Sequence, residues 1–180
     1  MPNVDPARFR QAMGRWATGV CVVTTRDRER DLGLTVNAFL SVALDPPTVL
    51  VSIGDESNSA EAIRRSARFA ITVLRADQED VGRRMALDRP PAEKFQNLPL
   101  RRSPRGLAWV EGGLASLECH VVASYRAHDH WLILAEAENI EIGADGLPLL
   151  YYRSHYSEGD PPDRVRLPSG NPGGGAASRF

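Results

Sequence analysis

Cysteine is scarce. The 180-residue chain has two, Cys21 and Cys119, too few for a disulfide framework. Both sit in apolar runs, GVCVVTT and SLECHVVA, which read as strands burying free thiols. An excess of either charge is also missing: 22 basic against 23 acidic residues leave a formal net charge of −1. Neither nucleic acid nor an anionic membrane is therefore an expected partner. No apolar run approaches the roughly 18 residues of a membrane span. The opening MPNVDPARFRQ carries no signal-peptide apolar segment, so the chain is expected in the cytoplasm. GxGxxG and phosphate-loop motifs are absent, so any nucleotide is held without the Rossmann device. No nucleophile elbow supports Ser-His-Asp catalysis, and there is no internal repeat.

What is present reads as one domain. Hydrophobic residues make up 42% and charged residues 25%, ordinary for a soluble globular chain. VDPARFRQAMGRWATG opens with Asp5 as N-cap and Pro6 at the first helical position, and Phe9, Met13 and Trp16 recur at helical spacing. Strand-like runs follow: VCVVTTR, one long strand from Gly33 to Leu44, and TVLVSIG after the DPP turn. SNSAEAIRRS reads as a helix, RFAITVL as a strand and ADQEDVGRRMALD as a second helix. Residues 88–107, rich in Pro and Arg, read as a long irregular loop. LASLECHVVASYRA and WLILAEAENIEI form two long strands joined by HDH, and PLLYYRSHY is a last single strand. Residues 1–156 are expected to fold. Residues 157–180 are expected to be a disordered Gly/Pro-rich tail, without the apolar content for a core. Strands joined mostly by hairpin-length turns, with few helices between them, imply a mainly β fold: an antiparallel sheet or closed barrel with short peripheral helices.

Three places carry chemistry. In the strand 33–44, Leu34, Val36, Ala38, Leu40, Val42 and Leu44 share one face. The other bears Thr35, Asn37, Phe39, Ser41 and Ala43, with no charge, which suits neither bulk water nor hydrocarbon. Ser57 and Ser59 stand at the start of a helix that follows a strand ending at Ile53. They either cap that helix or extend an anion site at its positive end. In HDHWLILAE, His128 and His130 flank Asp129. A cupin-like metal site would need Glu136 closer, since five residues separate it from His130, so no metal is expected. One functional histidine or an inert polar turn remain. Lys94 with Phe95 offers a cation beside an aromatic, uninformative alone.

Taken in order, FRQAMGRWATGVCVVTT, GLTVNAFLSVALDPPTVLVSI, SNSAEAIRRSARFAITVL, EKFQNL, HDHWL and PLLYYRSHY resemble the short-chain flavin reductases that supply two-component monooxygenases, from about Phe9 to Tyr156. The resemblance implies an antiparallel Greek-key split β-barrel, a homodimer, and FMN or FAD near the subunit interface. Hydride would come from NADH or NADPH, and reduced flavin would pass to a partner monooxygenase. It places Thr35, Val36, Asn37 and Ala38 along the flavin ring and ribityl chain, with Ser41 nearby. It puts Ser52, Ile53, Ser57 and Ser59 along the ribityl chain and phosphate, with Lys94 and Phe95 opposite. Asp129 and His130 match the Gly-Asp-His turn on the nicotinamide side, with His130 as the catalytic candidate. Tyr152 and Tyr156 either line the same opening or pack the barrel. Two departures stand out: His128 and Ala135 occupy positions where glycine is usual. The other reading on the same barrel is a non-catalytic flavin carrier or sensor, which needs no nicotinamide site.

Overall fold

The computed structural model describes residues 4–159. Helix α1 (Pro6–Met13) starts as expected: the Asp5 carboxylate accepts from the amides of Ala7 and Arg8, and Pro6 occupies the first turn. The chain then enters β1 (Thr18–Gly19), β2 (Cys21–Asp27), β3 (Arg30–Val36), β4 (Phe39–Leu44) and β5 (Pro47–Gly54). Helix α2 (Asn58–Ser66) leads to β6 (Arg68–Val73), and a 3-10 turn to α3 (Glu79–Ala86) and α4 (Pro91–Phe95). The remaining strands are β7 (Leu100–Arg102), β8 (Ala108–Val110), β9 (Ala115–Ala127), β10 (His130–Ile142), β11 (Leu149–Tyr152) and β12 (His155–Glu158). No helix of the described residues is long and apolar enough to cross a membrane.

Seven strands form one antiparallel sheet in the order β3-β2-β6-β9-β10-β5-β4. Its two edge strands, β3 and β4, are consecutive in the chain and joined only by Asn37 and Ala38. The expected single strand 33–44 is therefore two strands, one on each edge, and the joint between them closes the sheet into a barrel. The Ala38 carbonyl accepts from the Ser52 amide at 3.0 Å, tying the joint to β5. Inward positions show the slip: Leu34, Val36 and then Phe39 pack on the barrel core. Beyond it the expected buried face turns outward, leaving Leu40, Val42 and Leu44 about half or more exposed.

Strand β2 is buried on both faces, which explains its unbroken apolar run. Cys21 and Val23 face the barrel core with Phe69, Ile71 and Ile133. Val20 and Val22 face a second core with Leu74, Met85 and Leu149, onto which Phe95, Tyr151 and Tyr156 pack. Both cysteines are free and buried, and burial pushes each thiol up to about 12.

Two further expectations need correction. Residues 88–107 are not an irregular loop: they contain α4 and β7, and β7 pairs with β8. The last expected strand is a hairpin, β11–β12, whose turn residues Arg153 and Ser154 both adopt left-handed backbone (φ 49° and 63°). Strand β12 runs to Glu158, two residues into the expected tail; residues 160–180 lie outside the described ones.

Close approach fixes α3 and α4 against β3. A Cβ on Gly33 would lie 2.7 Å from Met85 Cε, 2.9 Å from the Val23 carbonyl and 3.0 Å from Phe95 Cζ. One of those contacts is backbone and cannot yield cheaply. Gly33→Val is expected to destabilise the fold by about 2 kcal/mol or more, read as a fall in denaturation midpoint at unchanged m-value. An unchanged midpoint would mean that α3 and α4 are not seated on this strand.

Candidate functional site

Three depressions run along β3, the joint and β4. The first, about 310 Å³, lies between β3, the start of α2 and the α3–α4 segment, and includes Thr35, Ser57, Ser59, Arg89 and Lys94. The second, about 200 Å³, includes Thr35, Asn37, Tyr151 and Tyr156. The third, about 720 Å³, includes Trp16, Thr18, Asn37, Ala38, Phe39 and Ser52. Thr35 belongs to the first and second, and Asn37 to the second and third. They adjoin at these residues, in a groove along the closing joint of the barrel.

The first end suits an anion. Ser57 is the N-cap of α2 yet makes no side-chain capping bond, so its hydroxyl is not spent on the helix. The first turn leaves backbone N–H groups without intrahelical partners, at the positive end of the dipole. Lys94 Nζ donates to the Gly33 carbonyl at 3.4 Å and the Met85 carbonyl at 3.2 Å. An ammonium has three donors, so one remains for a ligand. Burial holds this amine below the ordinary lysine range, with Asp88 opposing the shift. Glu56 and Asp88 also line this end, so its charge is mixed and serine and backbone donors carry the selectivity.

The third depression suits a flat, largely apolar ring with a polar edge. Trp16, Phe39 and Leu50 offer apolar surface. Thr18 Oγ1 is buried without a hydrogen-bond partner in the described chain, although its residue lines this depression. A buried hydroxyl left unpaired is costly, and a ligand atom here would satisfy it. Thr35, by contrast, is committed: its hydroxyl donates to the Gly82 carbonyl at 2.6 Å and braces β3 against α3.

The structure thus brings Thr35, Asn37, Ala38, Ser52, Ser57, Ser59, Lys94 and Tyr156 to one groove. Other expected residues lie elsewhere. Val36 and Ile53 are in the barrel core. Phe95 packs on the second core behind Gly33. Ser41 is exposed on β4 and lines none of the three depressions.

Asp129 and His130 sit at the tip of the β9–β10 hairpin. There His130 pairs with Gly54, and the Asp129 carbonyl accepts from the Asp55 amide at 2.9 Å. They flank the strand end that leads to Ser57 without lining the groove of this chain. His130 Nδ1 lies 2.9 Å from the Asp129 carboxylate. That contact is the main cause holding the Asp129 carboxyl below its usual range, and it leaves Nε2 directed away. His128, where glycine is usual, has φ 57°; the turn needs a left-handed residue there, and a histidine takes that strain. Tyr152 is exposed beside the groove residue Tyr151. Tyr156 meets Tyr151 edge-on with ring centroids 5.2 Å apart, and burial raises its phenol. Trp16 and Thr18 were not among the residues expected at the site. Both lie in the FRQAMGRWATGVCVVTT stretch, but nothing in that stretch shows that the segment after α1 meets the joint, which tertiary folding alone brings about.

Residues 13–160 match the flavin reductase like domain, and the chain belongs to that family. It is 39% identical over 160 residues to an NADH-dependent flavin reductase of Rhodococcus sp, covering 86% of this chain and 87% of that one. It is 32% identical over 165 residues to the reductase subunit HsaB of a flavin-dependent monooxygenase from Rhodococcus jostii, covering 92% and 84%. Among solved structures, the NADH:FAD oxidoreductase SgcE6 of Streptomyces globisporus, in complex with NAD and FAD fragments, superposes with a TM-score of 0.82 at 28% identity, covering 90% of this chain and 99% of that one.

Proposed function

We propose that this chain is an NADH:flavin oxidoreductase that reduces FMN or FAD as a diffusible substrate and releases it to a partner monooxygenase. The observation that carries the reading is the row of adjoining depressions, with free serine hydroxyls at a helix start at one end and an apolar slot with an orphaned hydroxyl at the other. When bound, the flavin supplies a hydride-accepting N5 and the nicotinamide a hydride-donating C4.

The chain's own residues bind, orient and exclude water. Ser57, Ser59 and the first turn of α2 would hold the flavin phosphate, with Lys94 as cation. Asn37, Ala38 and Ser52 would meet the ring edge through amide, backbone and hydroxyl groups, while Trp16 and Phe39 bound its flat faces. Stacking two rings about 3–3.5 Å apart in such a slot is a proximity effect and needs no acid–base triad. An open groove also suits a ligand that must leave.

The same reading takes the protein to be a homodimer. Met13, Trp16 and Leu40 line the large depression while remaining about half or more exposed, and Val42 and Leu44 continue that apolar surface along β4. Patches of this kind mark interaction sites. A second subunit would cover them and bring its own β9–β10 hairpin tip within reach of the groove, giving Asp129 and His130 a role on the nicotinamide side, beside Tyr152 of this chain. Two unpaired thiols and reduced nicotinamide fit a cytoplasmic setting. We take the functional domain to run through the end of β12 at Glu158, two residues beyond the expected boundary.

His130 separates the reductase from the carrier. His130→Ala is expected to raise the Michaelis constant for NADH, or lower turnover, by about tenfold, with flavin affinity nearly unchanged. Paired steady-state titrations, varying flavin and NADH separately, read this out. Weakened flavin binding with unaltered NADH constants would reverse the placement of the two ligands.

A further inference from the structure

A fourth depression, about 400 Å³, lies where the end of α1 meets the β11–β12 turn, and it includes Arg10, Gln11, Arg15, Arg153 and Ser154. The Arg153 amide donates to the Gly14 carbonyl at 2.9 Å, so hairpin and helix form one frame. None of the three arginines makes a salt bridge among the described residues, and no carboxylate lines the depression. The α1 carbonyl end contributes roughly half a negative charge, which three guanidiniums outweigh. The position is telling as well. The Arg153 guanidinium lies 5.3 Å above the Tyr152 ring, and Arg15 precedes Trp16 of the ring slot.

We propose that Arg10, Arg15 and Arg153 form an anion pocket for the phosphate-bearing adenylate half of a dinucleotide whose reactive ring lies in the groove. This rests on the reductase reading. The chemistry is that of a nucleotide pyrophosphate, which guanidinium forks bind bidentately. NADH is the dinucleotide that fits: the flavin phosphate lies at the Ser57 end of the groove, so an FAD adenylate would leave from there, and reduced nicotinamide mononucleotide, which lacks the adenylate, is the control.

The test is the double variant Arg10→Gln/Arg153→Gln in the full chain. Its Michaelis constant is expected to rise about tenfold for NADH, with reduced nicotinamide mononucleotide, FAD and FMN unaffected; a rise for FAD alone would overturn the assignment to the nicotinamide dinucleotide. A calorimetric titration with ADP, which needs no turnover, should show binding to the wild type that weakens by a similar factor in the variant. Equal constants for all four substrates and equal ADP affinity would overturn the proposal. So would a variant that ceases to self-associate while the wild type ignores ADP, because a partner carboxylate would then occupy the pocket. If the wild type turns over no pair of substrates, the reductase reading fails, and the ADP titration alone decides whether these arginines hold a nucleotide phosphate.

Discussion

Replacing Ser57 and Ser59 together with alanine is expected to weaken flavin binding by about tenfold or more, with the Michaelis constant for NADH nearly unchanged. Each hydroxyl that donates to a charged phosphate is worth about 1.5–3 kcal/mol, and about 1.4 kcal/mol is a factor of ten. The fold should tolerate the change, because Ser57 makes no capping bond that alanine would remove. Fluorescence titration of FMN against the wild type and the double variant measures the effect, and a melting curve shows that the fold is intact. Equal FMN affinity in a folded variant would remove the phosphate from this end of the groove.

Val42→Glu/Leu44→Glu is expected to dissociate the protein into monomers and to lower turnover. The two side chains are 47% and 71% exposed in the isolated chain, so folding does not depend on burying them. Once they lie in an interface, a buried unpaired carboxylate costs several kcal/mol, enough to weaken association about a hundredfold or more. Sedimentation should shift to the monomer mass at micromolar protein. A variant that stays dimeric at unchanged affinity would place the interface elsewhere, and a monomeric wild type with full turnover would remove the need for one.

Much of this architecture was legible from residue pattern. Strands β2, β5, β6, β9 and β10 are long or contain apolar runs, so their existence could be read from pattern. The helix start at Ser57 was legible because a serine-rich segment follows a strand. The break at Asn37–Ala38 was not, because alternation continues across it in composition while the backbone crosses from one sheet edge to the other. Only sheet closure, a long-range event, shows that Val36 and Phe39 both face inward. The β11–β12 turn was missed because Arg153 and Ser154 take positive φ without the glycine or asparagine that usually announces it. At the site, Ser57 and Ser59 were readable as either a cap or an anion end and Lys94 joined them only through the family resemblance, whereas nothing local in the stretch holding Trp16 and Thr18 shows that it reaches the joint. Ile53, Val36 and Phe95 lie next to groove residues in the chain, but strand alternation or helix packing sends their side chains into the cores.

The central claim is that flavin is a substrate rather than a resident group. The most direct measurement mixes purified protein with NADH and follows the reduced-nicotinamide absorbance without air, with and without a large molar excess of FMN or FAD. NADH should be stable until flavin is added. It should then fall until many equivalents of flavin per protein are reduced, with one NADH consumed for each flavin. NADH that stays unoxidised while the protein retains one tightly bound flavin would contradict the account and make the chain a carrier.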